Sequence, residues 1–178
     1  LNAETPFWQL SIYAILVGAG LGLSMQTIVI ELHNTVEFKD MGVIYLQDSE
    51  VTIDGVKFYG SPWQPEFYSW AFNLPRMGWE LEVKWNDIPM NTDILITHGP
   101  AWGHLDTIKG HSVPLGCEIL SERIKTVKPK IHVFGHIHTG YGYKFDGDTH
   151  FFNAAVLDER SAFGAAGIAV VVGDPPVL

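Results

Sequence analysis

Two short apolar runs, Asp93-Ile94-Leu95-Ile96-Thr97 and Ile131-His132-Val133-Phe134, bracket a segment in which Cys117, Leu120, Ile124 and Val127 recur at helical spacing. Pro129 stands just past that segment, where a helix must stop. Strand, helix, strand in this order predicts parallel pairing with a right-handed crossover. The carboxyl ends of both strands then fall on one rim of a sheet, the edge at which open α/β sheets bind their ligands.

The flanking sequence adds elements. Val51-Thr52-Ile53 and Val56-Lys57-Phe58 enclose Asp54-Gly55, a signal for a two-residue type I′ hairpin. Ser61-Pro62-Trp63-Gln64-Pro65 is expected to be a loop, since proline cannot donate to a ladder. The aromatics after it (Trp63, Phe67, Tyr68, Trp70 and Phe72) are taken as a core wall under a long loop, with a ligand-stacking platform as the alternative. Residues 77–87 are predicted helical. Tyr141–Phe145 and His150–Asn153 around Asp146-Gly147 predict a second hairpin, and Gly167–Val172 a last strand.

The predicted rim carries histidines. His98 follows the first strand directly, and Gly135-His136-Ile137-His138 follows the second. Imidazole is the commonest metal ligand, and three imidazoles at one rim predict a metal site made of His98, His136 and His138. Gly99 and Gly135 are expected to let the backbone turn sharply there. His104, in the loop after His98, is read as a solvated loop position, with a substrate-binding role as the alternative. His132 is expected to be structural, and His33, His111 and His150 have no comparable context.

Composition narrows the partners. A net charge of −9 over 178 residues excludes a phosphate-backbone binder, so no nucleic acid is expected. The single cysteine, Cys117, excludes an internal disulfide framework. Hydrophobic content of 47% supports a packed domain. Charge is absent from Thr5 to Ile30, longer than the ~20 residues that span a bilayer. Gly18 and Gly22 form a G-x-x-x-G pair within that stretch. A membrane-type helix at 5–30 is therefore expected, with a buried soluble helix or a dinucleotide turn as alternatives. The turn lacks the glycine it needs where Leu23 stands.

Several motifs, in order, resemble a known family. Tyr45-Leu46-Gln47-Asp48-Ser49-Glu50-Val51, Tyr59-Gly60-Ser61-Pro62-Trp63-Gln64-Pro65, Ala71-Phe72-Asn73-Leu74-Pro75, Gly116-Cys117 and His132 to Gly142 are similar to the metallophosphoesterase-domain (MPPED) branch of the calcineurin-like metallophosphoesterases. The likeness covers residues 44–178. It implies the C-terminal part of a four-layer α/β/β/α sandwich and a metal-dependent phosphoester hydrolase. It further implies divalent transition metals (Mn, Fe or Zn), with His98 and His136 on one ion and His138 on the other. A small phosphoester substrate follows from the same likeness, while the single cysteine favours a reducing compartment and so a cytoplasmic place for 44–178.

The family's Asp-x-His, Gly-Asp and Gly-Asn-His motifs precede the matched region and have no counterpart here. They supply the bridging aspartate, an asparagine ligand and the histidine that protonates the leaving group. Three neutral imidazoles cannot balance two divalent cations, so the dinuclear site is expected to be incomplete and the activity weak or absent unless another chain supplies the missing N-terminal half. Asp148-Thr149-His150 spells Asp-x-His but is read as a hairpin strand. Residues 1–43 instead resemble one transmembrane segment of a drug:proton antiporter of the major facilitator superfamily, on Phe7-Trp8-Gln9-Leu10, the run Gly18 to Gln26 and His33 to Gly42. The alternatives are a non-catalytic membrane-anchored or chimaeric chain and a mononuclear metal-binding module, for which three histidines on one zinc are chemically sufficient.

Overall fold

A computed structural model describes residues 44–110 and 112–157. The expected apolar helix at 5–30, the strand at 167–172, His33 and His111 lie outside the described residues.

A six-stranded mixed sheet organises the chain. Its strands are β1 (Ser49–Ile53), β2 (Val56–Ser61), β5 (Ile94–Thr97), β6 (Ile131–Phe134), β7 (Gly142–Phe145) and β8 (His150–Asn153), in the order β1-β2-β5-β6-β8-β7. The four inner strands β2, β5, β6 and β8 run parallel, and the two edge strands are antiparallel to their neighbours. The predicted parallel pairing of 93–97 with 131–134 is present, in the register Leu95↔His132. Two helices, α1 (Trp79–Asn86) and α2 (Glu118–Val127), complete the described part. The result is a sheet-dominated α/β arrangement.

Both predicted hairpins form. Asp54 and Gly55 sit at φ +50° and +81°, the positive pair that a type I′ turn requires. Gly55→Ala is expected to cost about 1 kcal/mol and lower the Tm by roughly 2–4 °C, because a Cβ disfavours that φ. A thermal melt checks this.

The loop expected at 61–65 is partly a ladder. β2 runs to Ser61, and Gln64–Pro65 (β3) pairs parallel with Asn73–Leu74 (β4). The ladder is donated by Gln64 N–H to Phe72 O and Glu66 N–H to Leu74 O, so Pro65 falls at the position whose nitrogen points away.

Side-chain alternation divides the sheet into two faces. On one face Tyr59, Leu95, His132 and Phe151 line up across four strands, each 0–3% exposed. Leu81 and Trp85 of α1 and Leu120, Ile124 and Val127 of α2 join this face in one core cluster. α2 starts on Cys117, whose Sγ accepts from Leu120 N–H in place of the usual hydroxyl cap, and also receives the Trp85 indole N–H at 3.2 Å. Lys128 closes the helix in the left-handed conformation, followed by Pro129. The opposite face is also apolar and mixed in exposure: Ile94 and Ile131 are 5% and 9% exposed, whereas Ile53, Ile96, Tyr143 and Phe145 keep 39–53%.

No helix among the described residues is long and apolar enough to cross a membrane.

Candidate metal centre at the strand ends

The rim where β2, β5, β6 and β8 end collects the chemistry. His98 leaves β5 and His136 leaves β6, and their rings meet: Nε2 of His98 lies 3.2 Å from Nδ1 of His136, with ring centroids 4.9 Å apart. Residues 38 apart in sequence are thus brought together by parallel strand pairing. Two nitrogens bound to one ion at ~2.0–2.1 Å in tetrahedral geometry stand roughly 3.3–3.4 Å apart. The pair therefore fits as two ligands of a single transition metal.

Electrostatics keep both rings neutral. Burial lowers the pKa of His98. Burial, then the neighbouring charges of His98 and His138, push His136 down to about 4. Neutral imidazoles with available lone pairs are the state a metal takes up. His138 lies within electrostatic reach of His136, at the start of a short 3-10 turn, His138–Gly140. Among the described residues no three His, Cys, Asp or Glu groups converge into a ready cluster. The structure brings His98 and His136 into contact and leaves His138 beside them.

The sharp turn expected at the glycines falls one residue later. Gly99 and Gly135 do not take positive φ, and a Cβ on either would meet only ordinary contacts at 3.9 Å. His136 itself sits at φ +67°, and Ile137 N–H bonds Gly135 O across it at 2.8 Å. This is a γ-turn of positive sense, the rare and strained variety, on a residue with a Cβ.

A buried relay underpins the turn after β5. Thr97 Oγ1–H donates to Gly99 O at 2.7 Å, so its oxygen must accept from Nε2–H of His132 at 2.8 Å. His132 therefore carries its proton on Nε2, and at 0% exposure it is a structural residue as expected. Burial, then the charge of His104, pushes its pKa down to about 3.

His104 is partly buried and not part of the pair. Its ring stacks on Phe151 at 3.8 Å and 17°, and its Nδ1 is buried without a hydrogen-bond partner. Burial lowers its pKa, with Lys144 adding to the effect. Asp148-Thr149-His150 forms the hairpin segment expected: Asp146 caps the N–H groups of Asp148 and Thr149.

The aromatic group at 63–72 is only in part a core wall: Trp63 packs against the core cluster and meets Phe72 edge-to-face, while the rest turns to the rim. Tyr68 is 83% and Trp70 56% exposed, and Phe67 and Trp70 present their rings edge-on to His136 at 5.2 and 5.9 Å. The platform alternative suits this placement. Asp48 anchors the loop that carries them, accepting from Ser61 Oγ, Trp63 Nε1 and Lys84 Nζ. Burial would raise the Asp48 pKa, but these hydrogen bonds and the lysine charge outweigh it and hold it low.

Comparisons with known proteins bear on the family and not on the individual site residues. Over 114 residues the chain is 57% identical to metallophosphoesterase domain-containing protein 1 of Homo sapiens and of Mus musculus, covering 64% of this chain and 35% of each relative. It is 48% identical over 118 residues to a UPF0046 protein of Caenorhabditis elegans, covering 66% of this chain and 29% of that protein. These relatives support the metallophosphoesterase-domain branch. The chain spans about a third of the length of the curated relatives it matches. A crystal structure aligned over 73% of this chain and 52% of its own, with a TM-score of 0.54 and 18% identity, supports the fold alone. No protein-family model matches. The transporter resemblance of residues 1–43 gains no support from these relatives.

Proposed function

We propose that residues 44–178 are the C-terminal portion of a metallophosphoesterase, a metal-dependent phosphoester hydrolase whose dinuclear site is incomplete in this chain. The observation that carries the reading is the His98–His136 contact at the strand ends, in a chain 57% identical to a protein named for that domain. His98 and His136 would hold one divalent ion (Mn, Fe or Zn) and His138 would contribute to a second. Such ions supply a water activated for attack on phosphorus. The chain's own part is to keep the imidazoles neutral and to wall one side of the site with Phe67 and Trp70.

The apolar face of the sheet that the described residues leave partly exposed fits this reading. A sheet face bearing Ile96, Val133 and Phe152 across neighbouring strands is built to pack against another layer. The missing N-terminal half, supplied in cis by a longer polypeptide or by a second chain, would cover it as the second sheet of a four-layer sandwich. Its carboxylates would also balance the metal charge.

Elemental analysis after purification with manganese or zinc tests the metal reading. At least one ion per chain is expected, falling at least tenfold in His136→Ala, since losing a ligand should cost no less than the roughly 10–100-fold of losing a group that merely orients one. No bound metal would sink the reading. Hydrolysis of bis-p-nitrophenyl phosphate with manganese is expected to be slow or absent, and robust turnover abolished by His136→Ala would overturn the incompleteness.

A further inference from the structure

Asn153 ends β8 on the same rim, paired in register with Phe134 at the end of β6. Its side chain is fully buried, at 0% exposure, and its amide is fully used. Nδ2 donates to Ile137 O at 2.8 Å and to Leu105 O at 3.1 Å, while Oδ1 accepts from Ala155 N–H at 3.0 Å. Ile137 is the residue between His136 and His138. Leu105 belongs to the loop that leaves His98, and holds φ +55°. One carboxamide thus joins the two histidine-bearing loops.

The requirement is chemically narrow. Two donors and one acceptor on a short planar group describe asparagine. Aspartate in its place would aim carboxylate lone pairs at two carbonyl oxygens in a buried setting, where no water can intervene. The fit around it is close as well. A Cβ on Gly140 would run into the Leu105 carbonyl and approach Asn153 Nδ2 to 2.8 Å. Another tie between the same loops, Thr139 Oγ1–H to Thr107 O, and one from β7, Lys144 Nζ to Gly103 O, lie towards solvent.

We propose that Asn153 is a positioning residue for the histidine site: its amide clamps the loop after His98 to the turn that carries His136 and His138, and so sets the spacing of the imidazoles. The clamp stands on geometry alone, and its bearing on metal affinity rests on the metallophosphoesterase reading. Asn153→Asp removes the donors, and Gly140→Ala wedges the loops apart while leaving Asn153 in place. Leu81→Ala, in the helical side of the core, serves as a control for general loss of stability.

The test uses the 178-residue chain. Amide hydrogen exchange is followed in residues 98–106 and 135–141, and manganese affinity by titration calorimetry. Both loop variants are expected to exchange at least about tenfold faster in the two segments and to bind manganese about 10–100-fold more weakly, the usual cost of losing a group that orients a ligand. Leu81→Ala is expected to leave those segments unchanged relative to the sheet. Unchanged exchange in the loop variants, or the same loop pattern in Leu81→Ala, would overturn the proposal. Should Asn153→Asp fail to fold, Gly140→Ala decides. If the parent chain binds no manganese, the metal reading fails on its own while the exchange result still settles the clamp.

Discussion

Below about pH 6.5 the proton linked to His132 alone is expected to cost about 1.4 kcal/mol of stability for each further pH unit, down to about pH 3. The folded pKa of His132 is about 3, against ~6.5 for an unfolded histidine. Between those values only the unfolded chain takes up the proton, so acid favours unfolding. Above pH 6.5 neither state binds it, and below pH 3 both do. Over the window the loss approaches about 5 kcal/mol, a large share of the 5–15 kcal/mol that holds a typical domain together. The ring is fully buried, gives its one proton to Thr97 and has no acceptor facing Nδ1, so nothing stabilises an imidazolium there. His136, pushed down to about 4, acts in the same direction. Urea midpoints measured from pH 7 to 4 check the slope. His132→Phe is expected to reduce it by about one proton, and an unchanged slope in that variant would assign the effect elsewhere.

Phe151→Ala is expected to cost about 3–5 kcal/mol, or roughly 10 °C in Tm. The ring has 0% exposure and lies between two histidines: His104 stacks on it at 3.8 Å and His132 meets it edge-on at 5.7 Å. Its removal leaves a cavity in the central row of the sheet and frees the loop that His104 anchors. Met90→Ala, at a side chain 59% exposed, is expected to stay within about 0.5 kcal/mol. Thermal melts of the two variants distinguish a buried strut from surface padding, and similar Tm values would contradict this packing account.

The parallel pairing and the histidine contact were legible because they follow from local periodicity plus one topological rule. A strand, a capped helix and a second strand leave little freedom for where His98 and His136 must fall. What could not be seen depended on pairings distant in sequence. β8 pairs with β7 as a hairpin and also with β6 in parallel, and only that second pairing brings Asn153 beside Ile137. The strand-end rule that singled out His98 and His136 would have flagged Asn153 once β8 was placed inside the sheet. Part of the aromatic loop was misplaced for a related reason. Two prolines marked 61–65 as irregular, but the alternate-residue donation that lets Pro65 sit in a ladder returns the chain to the rim and sets Phe67 and Trp70 against His136. Glycine content alone does not locate the sharp turn, because the positive φ falls on His136 and not on Gly99 or Gly135.

That strain sets two selective pressures against each other at one position. A residue at φ +67° is most comfortable as glycine or asparagine, and neither supplies an imidazole. The backbone gives up about 1–2 kcal/mol to hold a side chain it would not choose. In a lineage released from the need for a ligand, drift at His136 should therefore run first towards glycine or asparagine. The identity of this one residue would then record whether the site is still in use.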